Sequence, residues 1–302
     1  MKKNILTMLL SVGTLGVFAQ EYVFKVLANK GANEVKTSEG WTPIKTGASL
    51  KQTDELKIVD NAYMGLVHST GKPIEIKQAG NYSIAQLASK ITAGTSVMNK
   101  YTDFILSSNS DEGKKNRMAA TGSVSRAVGA GALKVFMPPA QAAGVFGNTA
   151  VVNWEARENA SPYVVTVRDM EDNVLFTTET PQTQMVLDLS DATFASQTAV
   201  LVEVRTKADA KTLSERYVIK RLNNANKDKI KKLYATDLGA GVEEESALNK
   251  IVLASFYEQN GLLIDAIAAY EQAIKLAPEV QDYKDAYAGF LARNGIKAEE
   301  KK

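Results

Sequence analysis

The chain reads as a multidomain α+β protein: a small antiparallel β-domain with a following helix, a β-sandwich, and C-terminal α-hairpins. Three observations predict this. Apolar and polar residues alternate with period two from Tyr22 to Ile84. The alternation returns from Leu133 to about Leu222, after a stretch rich in Ser, Gly, Lys and Ala. Beyond Asn223 the apolar period becomes helical and stays so. The resulting segments are a leader over 1–19, a β-domain with its helix over 20–106, a linker over 107–132, a sandwich over 133–222 and a helical segment over 223–302.

The leader is read from Lys2 and Lys3, the apolar run Ile5 to Phe18, and the small residue Ala19 with Val17 at the minus-three position. That order predicts a cleaved secretory signal. The run falls short of the ~18 apolar residues expected of a spanning anchor, so no integral membrane segment is expected after cleavage. A lipid-modified start is not possible without cysteine, and the chain has none. The expected location is the periplasm, or the secreted or cell-surface space, of a Gram-negative-type bacterium. Export without disulfides requires each module to hold itself by core burial or by leaning on its neighbours.

Composition narrows the function classes. With 36 Lys+Arg against 34 Asp+Glu the charge is nearly balanced, so no nucleic-acid partner is expected. The absence of Cys and the single histidine, His68, remove thiol nucleophiles, His-rich zinc sites and most Ser-His-Asp arrangements. Neither Asp111-Glu112 nor Glu243 to Glu245 has the spacing of a calcium loop, and the latter reads as capping charge at a helix start. Gly122, Gly129 and Gly131 do not follow a strand and open a helix, so they form no phosphate loop. Carboxylate-only or Ser-Lys hydrolysis survives this filter as a third class, but the sequence shows no converging acid-base pair, so no cofactor, no metal and no enzymatic activity are expected.

In the first β-domain, strands are read at YVFKVLAN, WTPIKTGASL, DELKIVD, AYMGLVHS and KPIEIKQ, separated by turns at Asn29 to Gly31, Gly47, Asp60-Asn61, Thr70-Gly71 and Ala79-Gly80. Trp41, Pro43, Ile44, Gly47, Leu50, Asp54, Leu56, Asn61, Gly71, Ile74 and Ile76 give this stretch a rhythm that resembles the FecR-type β-domain of bacterial envelope proteins. The resemblance implies a compact β-fold. It does not imply signalling by the FecR route, because the family's spanning helix and cytoplasmic segment are not matched. A helix is predicted from Ser83 to Leu106, with Ile84, Ile91, Met98 and Ile105 on one stripe and Gly94 weakening its middle. It is expected to pack on its own β-domain or a neighbouring module, with a coiled-coil partner as the alternative.

The linker carries Lys114, Lys115 and Arg117, read as a solvated charge cluster. The second β-module predicts seven strands, LKVFMPP, TAVVNWEA, YVVTVRDM, NVLFTTET, QMVLDLS, AVLVEVRT and ERYVIKRL. Their rhythm, with Pro138-Pro139 early and Trp154 placed to fill the core, resembles a fibronectin type III or immunoglobulin sandwich. Tyr82, Tyr101, Tyr163 and Tyr217 are read as packing residues.

In the C-terminal segment Leu253, Ala254, Tyr257, Gly261, Ala266, Tyr270, Ala273 and Pro278 fall at the offsets of one tetratricopeptide repeat (TPR). Small Ala254 and Ala266 let two helices approach while Tyr257 and Tyr270 fill the space between turns. Tyr287, Ala288, Leu291 and Gly295 begin a second repeat, and Ile230 to Leu238 adds a helix in front. Lys250 stands where the family has a large apolar residue.

These readings combine into an expected function: an exported, non-enzymatic envelope protein that acts as an adaptor or scaffold for other envelope proteins. The alternative is a carbohydrate- or peptidoglycan-binding protein, with cell-wall glycan as the partner. By resemblance to how such repeats bind, Lys250, Tyr257 and Asn260 are the expected partner-contact residues.

Overall fold

The computed structural model describes residues 22–91, 99–110, 113, 132–239 and 245–297. The expected leader, and residues 92–98, 111–112 and 114–131 of the expected helix and linker, lie outside the described residues.

The N-terminal β-domain contains β1 (Phe24–Lys30), β2 (Glu34–Thr37), β3 (Gly40–Pro43), β4 (Ser49–Leu50), β5 (Glu55–Ile58), β6 (Tyr63–His68), β7 (Pro73–Ile76) and β8 (Gly80–Ser83). They pair into two sheets, ordered β4-β1-β6-β7 and β3-β2-β5-β8. Alternation explains the layering: Val35, Leu56 and Ile58 of the second sheet share a core with Phe24, Val26, Met64 and Leu66 of the first. Strands β2 and β8 correct the sequence reading, which placed no strands there. Each is four residues long and stands between turn residues, so alternation alone gave too short a signal. The run from Trp41 to Leu50 splits into β3 and β4 because Gly47 adopts φ +90°, a turn conformation that a side chain disfavours.

The helix expected over 83–106 is also corrected. Helix α1 (Ile84–Ser89) closes on Lys90, and α2 (Asn99–Asn109) takes up the chain later. The weak helix formers Thr92, Gly94 and Thr95 follow α1. The apolar stripe therefore serves two cores: Ile84 and Leu87 pack in the β-domain, whereas Tyr101 and Ile105 pack among the C-terminal helices.

The second β-module contains β9 (Gly144–Val145), β10 (Thr149–Asn153), β11 (Tyr163–Arg168), β12 (Val174–Thr180), β13 (Gln184–Asp188), the short α3 (Ala192–Ala195), β14 (Ala199–Thr206) and β15 (Tyr217–Arg221). The sheet orders are β10-β13 and β12-β11-β14-β15-β9, antiparallel except for the β15–β9 pair. Six of the expected strands are present. The seventh, Leu133 to Pro139, is reduced to a bridge between Val135 and Trp154, because Pro138 and Pro139 have no N–H to extend the ladder. Trp154 is 3% exposed and meets Tyr163 edge-on, the core position its sequence context predicts.

The chain ends in α4 (Asn224–Asp237), α5 (Ala247–Gln259), α6 (Leu263–Leu276) and α7 (Gln281–Arg293). Ala254, Ala266, Tyr270 and Ala273 are buried between α5 and its neighbours, as their spacing predicts. Asn223 and Ser246 cap α4 and α5 through their side-chain oxygens. Arg293 of α7 grips Glu258 of α5 with two guanidinium bonds, 3.1 and 2.9 Å. The helices do not stand apart from the β-modules. Their core also holds Leu27, Ala28, Tyr63 and Val67 of the first module and Val151 of the second, and Ile264 of α6 is inserted into the core of the second module.

Candidate functional site

The first seam forms where β6 and β7 meet the helices. In β6, Met64 and Leu66 face their own core while Tyr63 and Val67 face α5 and α7, so the strand is buried on both sides. Gly65 permits the approach: a methyl at its Cα would sit 3.3 Å from both Leu248 Cδ1 and Tyr283 Oη. Tyr63 Oη donates to Glu75 Oε1 at 2.7 Å and lies 2.7 Å from Tyr283 Oη, whose proton therefore points to Tyr63. Glu75 Oε1 also accepts the Leu248 N–H at 2.8 Å, at the start of α5, and Lys77 lies 2.8 Å from Oε2. Burial pushes Glu75 up, but hydrogen bonds from Lys77, the Leu248 N–H and Tyr63 outweigh it and hold the carboxyl below its ordinary value. Burial, then the neighbouring Tyr283 and Glu75, drive the Tyr63 phenol far above its ordinary value. The result is a directed relay from Tyr283 through Tyr63 to an ionised carboxylate that also caps a helix. A Gly65→Val substitution is expected to cost about 1–3 kcal/mol through overpacking, measured by urea denaturation.

The second seam joins the second β-module to α6 and α7. Asp265, 5% exposed in the first turn of α6, accepts the N–H groups of Phe146 at 2.8 Å and Gly147 at 2.7 Å. Burial raises its carboxyl to about 6 despite those two bonds and the charge of Lys227. Asn153 of β10 adds bonds to Glu271 Oε1 and Tyr287 Oη, at 3.0 and 3.2 Å.

Beside the first seam lies a cleft of about 410 Å³ between β1, the β3–β4 turn, α2, α5 and α7. Leu27, Ile105, Ile251 and Ala286 give it an apolar lining, and Asp282 and Asp285 give it acidic oxygens. Asp282 Oδ2 already accepts the Asn29 N–H and the Thr46 hydroxyl, each at 2.9 Å, so this carboxylate closes the α7–β1 contact. The cleft can hold an apolar group; the hydroxyl–carboxylate pair among its described lining residues, Thr46 with Asp282, is engaged in the α7–β1 contact.

The residues singled out in the sequence are placed as follows. Tyr257 packs its ring against Phe146 of the second module at 6.3 Å and against Phe256 at 5.6 Å, and burial raises its phenol. Asn260 closes α5, its amide donating to the Phe256 carbonyl at 2.8 Å. Lys250 lies two turns before Tyr257 and pairs with the exposed Glu245 at 3.6 Å. His68 staples a turn, with Nδ1 accepting the Thr70 N–H at 3.1 Å, its ring edge-on to Phe24, and burial lowering its pKa. Tyr63, Glu75, Asp265 and Tyr283, which make the two seams, were not singled out. Only Asp265 carried a local signal, an acid inside the apolar run Leu262 to Ala269.

No helix among the described residues is long and apolar enough to cross a membrane. No family model, curated protein or solved structure matches the chain.

Proposed function

We propose that the chain is an exported, non-enzymatic adaptor of the cell envelope, which holds partner proteins at a set spacing. The observation that carries this reading is the pair of polar seams, Tyr283–Tyr63–Glu75–Leu248 and Asp265 with Phe146 and Gly147, through which the helices α5, α6 and α7 clasp both β-modules. Directional bonds of this kind favour one relative placement of the modules over sliding alternatives. The resemblances to FecR-type, fibronectin-like and TPR modules point the same way, since such modules serve interaction. Of the three residues proposed for partner contact, Lys250 carries a charge beside the exposed Glu245, while Tyr257 lies against Phe146 and Asn260 closes α5.

The cysteine-free sequence suits a direct test. Spin labels on Lys45→Cys and Lys211→Cys, both exposed, should give one narrow distance distribution, and crosslinking in native envelopes should capture defined protein partners. A broad distribution, or crosslinking that yields no protein partner, overturns the adaptor reading.

A further inference from the structure

The outer face of the β3-β2-β5-β8 sheet is organised in a way that its packing does not require. Residues directly opposite in an antiparallel pair share a face. The register therefore sets Trp41, Lys36, Glu55 and Ser83 in one row across the sheet, and Pro43, Glu34, Lys57 and Asn81 in the next. All eight are exposed or half-exposed, while Val35, Leu56 and Ile58 on the other face are buried. Each row holds one cation and one anion on adjacent strands, with Lys36–Glu55 at 3.6 Å and Lys57–Glu34 at 3.0 Å. At the open edge, Trp41 leaves 41% of its surface to solvent, the one aromatic among the exposed large hydrophobic residues of the described chain. Lys36 Nζ lies 5.8 Å from its ring centroid. Pro43 protects this edge strand from pairing, whereas Trp41 leaves an apolar ring open beside it.

We propose that this face binds a neutral oligosaccharide. The apolar face of a sugar ring can lie on the flat indole, which rigid aromatic area favours. Beyond it, the carboxylates of Glu34 and Glu55 accept hydroxyl hydrogen bonds, the ammonium groups of Lys36 and Lys57 donate, and Asn81 does both. The two cations and two anions cancel, so the face has no net attraction for an anionic polymer. Strands spaced about 4.8 Å apart put Asn81 and Ser83 about 14 Å from the Trp41 row end, so the face spans a short run of linked sugar rings instead of a single one. A peptide would instead use the unpaired backbone edge of β3. This inference stands independently of the adaptor reading, since partner capture and sugar binding can succeed or fail separately.

The chain has two tryptophans, and the other, Trp154, is buried in the second β-module. Titrating the full-length mature protein with chitotetraose and with cellotetraose should therefore change tryptophan emission through Trp41, with a dissociation constant of about 1 mM or tighter for at least one of them. Calorimetry on Trp41→Ala should show at least a tenfold loss, and Lys57→Met a severalfold loss, with unfolding midpoints near the native value because both positions are exposed. The proposal is overturned if neither neutral sugar binds, if Trp41→Ala binds as well as the native chain, if a galacturonate tetramer binds more tightly than both neutral probes, or if only an extended peptide binds at β3.

Discussion

Asp265→Ala should lower the unfolding free energy by about 1–3 kcal/mol at neutral pH, because it leaves two half-buried N–H groups, those of Phe146 and Gly147, without their carboxylate acceptor. Gly147 sits so close that a methyl at its Cα would lie 3.1 Å from Asp265 Oδ1. The same carboxyl should make the native protein more stable in mild acid. Its pKa rises from 3.8 unfolded to about 6 folded, with burial the largest cause, so folding favours the protonated form. Its stabilising contribution is fully present below about pH 4 and is lost as pH rises through about 6, an effect of up to about 3 kcal/mol. Lys227 and Tyr257 are the groups whose fields couple to it, and burial holds the Tyr257 phenol above its ordinary value. Asp265→Asn keeps one acceptor and cannot ionise. It should lose about 1–2 kcal/mol at pH 7 and remove this part of the pH slope. Urea denaturation of the three proteins between pH 4 and pH 7 tests this (range set by the shift itself). Equal slopes in the native chain and Asp265→Asn would show that Asp265 ionises as in water.

The contrast between Asp265 and the strands shows what the sequence could reveal. Period-two alternation located the buried faces of β1, β5 and β14 because each strand turns one side to a core within its own module. Helical spacing placed α5, α6 and α7 through small and aromatic residues that pack at short range along the chain. What escaped was everything decided between modules. Tyr63 and Tyr283 touch across a separation of 220 residues, and nothing local to either announces the other. Gly65 reads as an ordinary break in a strand until Leu248 and Tyr283 are seen against it. Asp265 and Asp282 stand in the first turns of α6 and α7, where the helix dipole favours an acid, yet each also spends its oxygens on backbone N–H groups of another module. Trp41 resembles a family rhythm residue in the sequence, and only the strand register shows the charged rows beside it.

Tyr283→Ala should be the most damaging single change at the first seam, at about 3–5 kcal/mol, since it empties a fully buried aromatic site between β6 and α5. Tyr283→Phe keeps the ring and removes only the hydroxyl that donates to Tyr63. Tyr63 still donates to Glu75, so the expected loss is about 0.5–1.5 kcal/mol. The two substitutions thus separate packing from the relay. Glu75→Ala should fall between them, because the Leu248 N–H at the start of α5 loses its acceptor while the aromatic pair stays in place. Hydrogen exchange gives the sharper reading. In Tyr283→Ala the amides of β6, β7 and the start of α7 should lose protection together, while those of β11 and β14 in the second module keep theirs, since that module is tied to the helices through Asp265, Glu271 and Tyr287 and not through Tyr283. Equal loss of protection across all of these strands would mean that the two seams open as one unit, and that the helices are not a clasp with two independent grips.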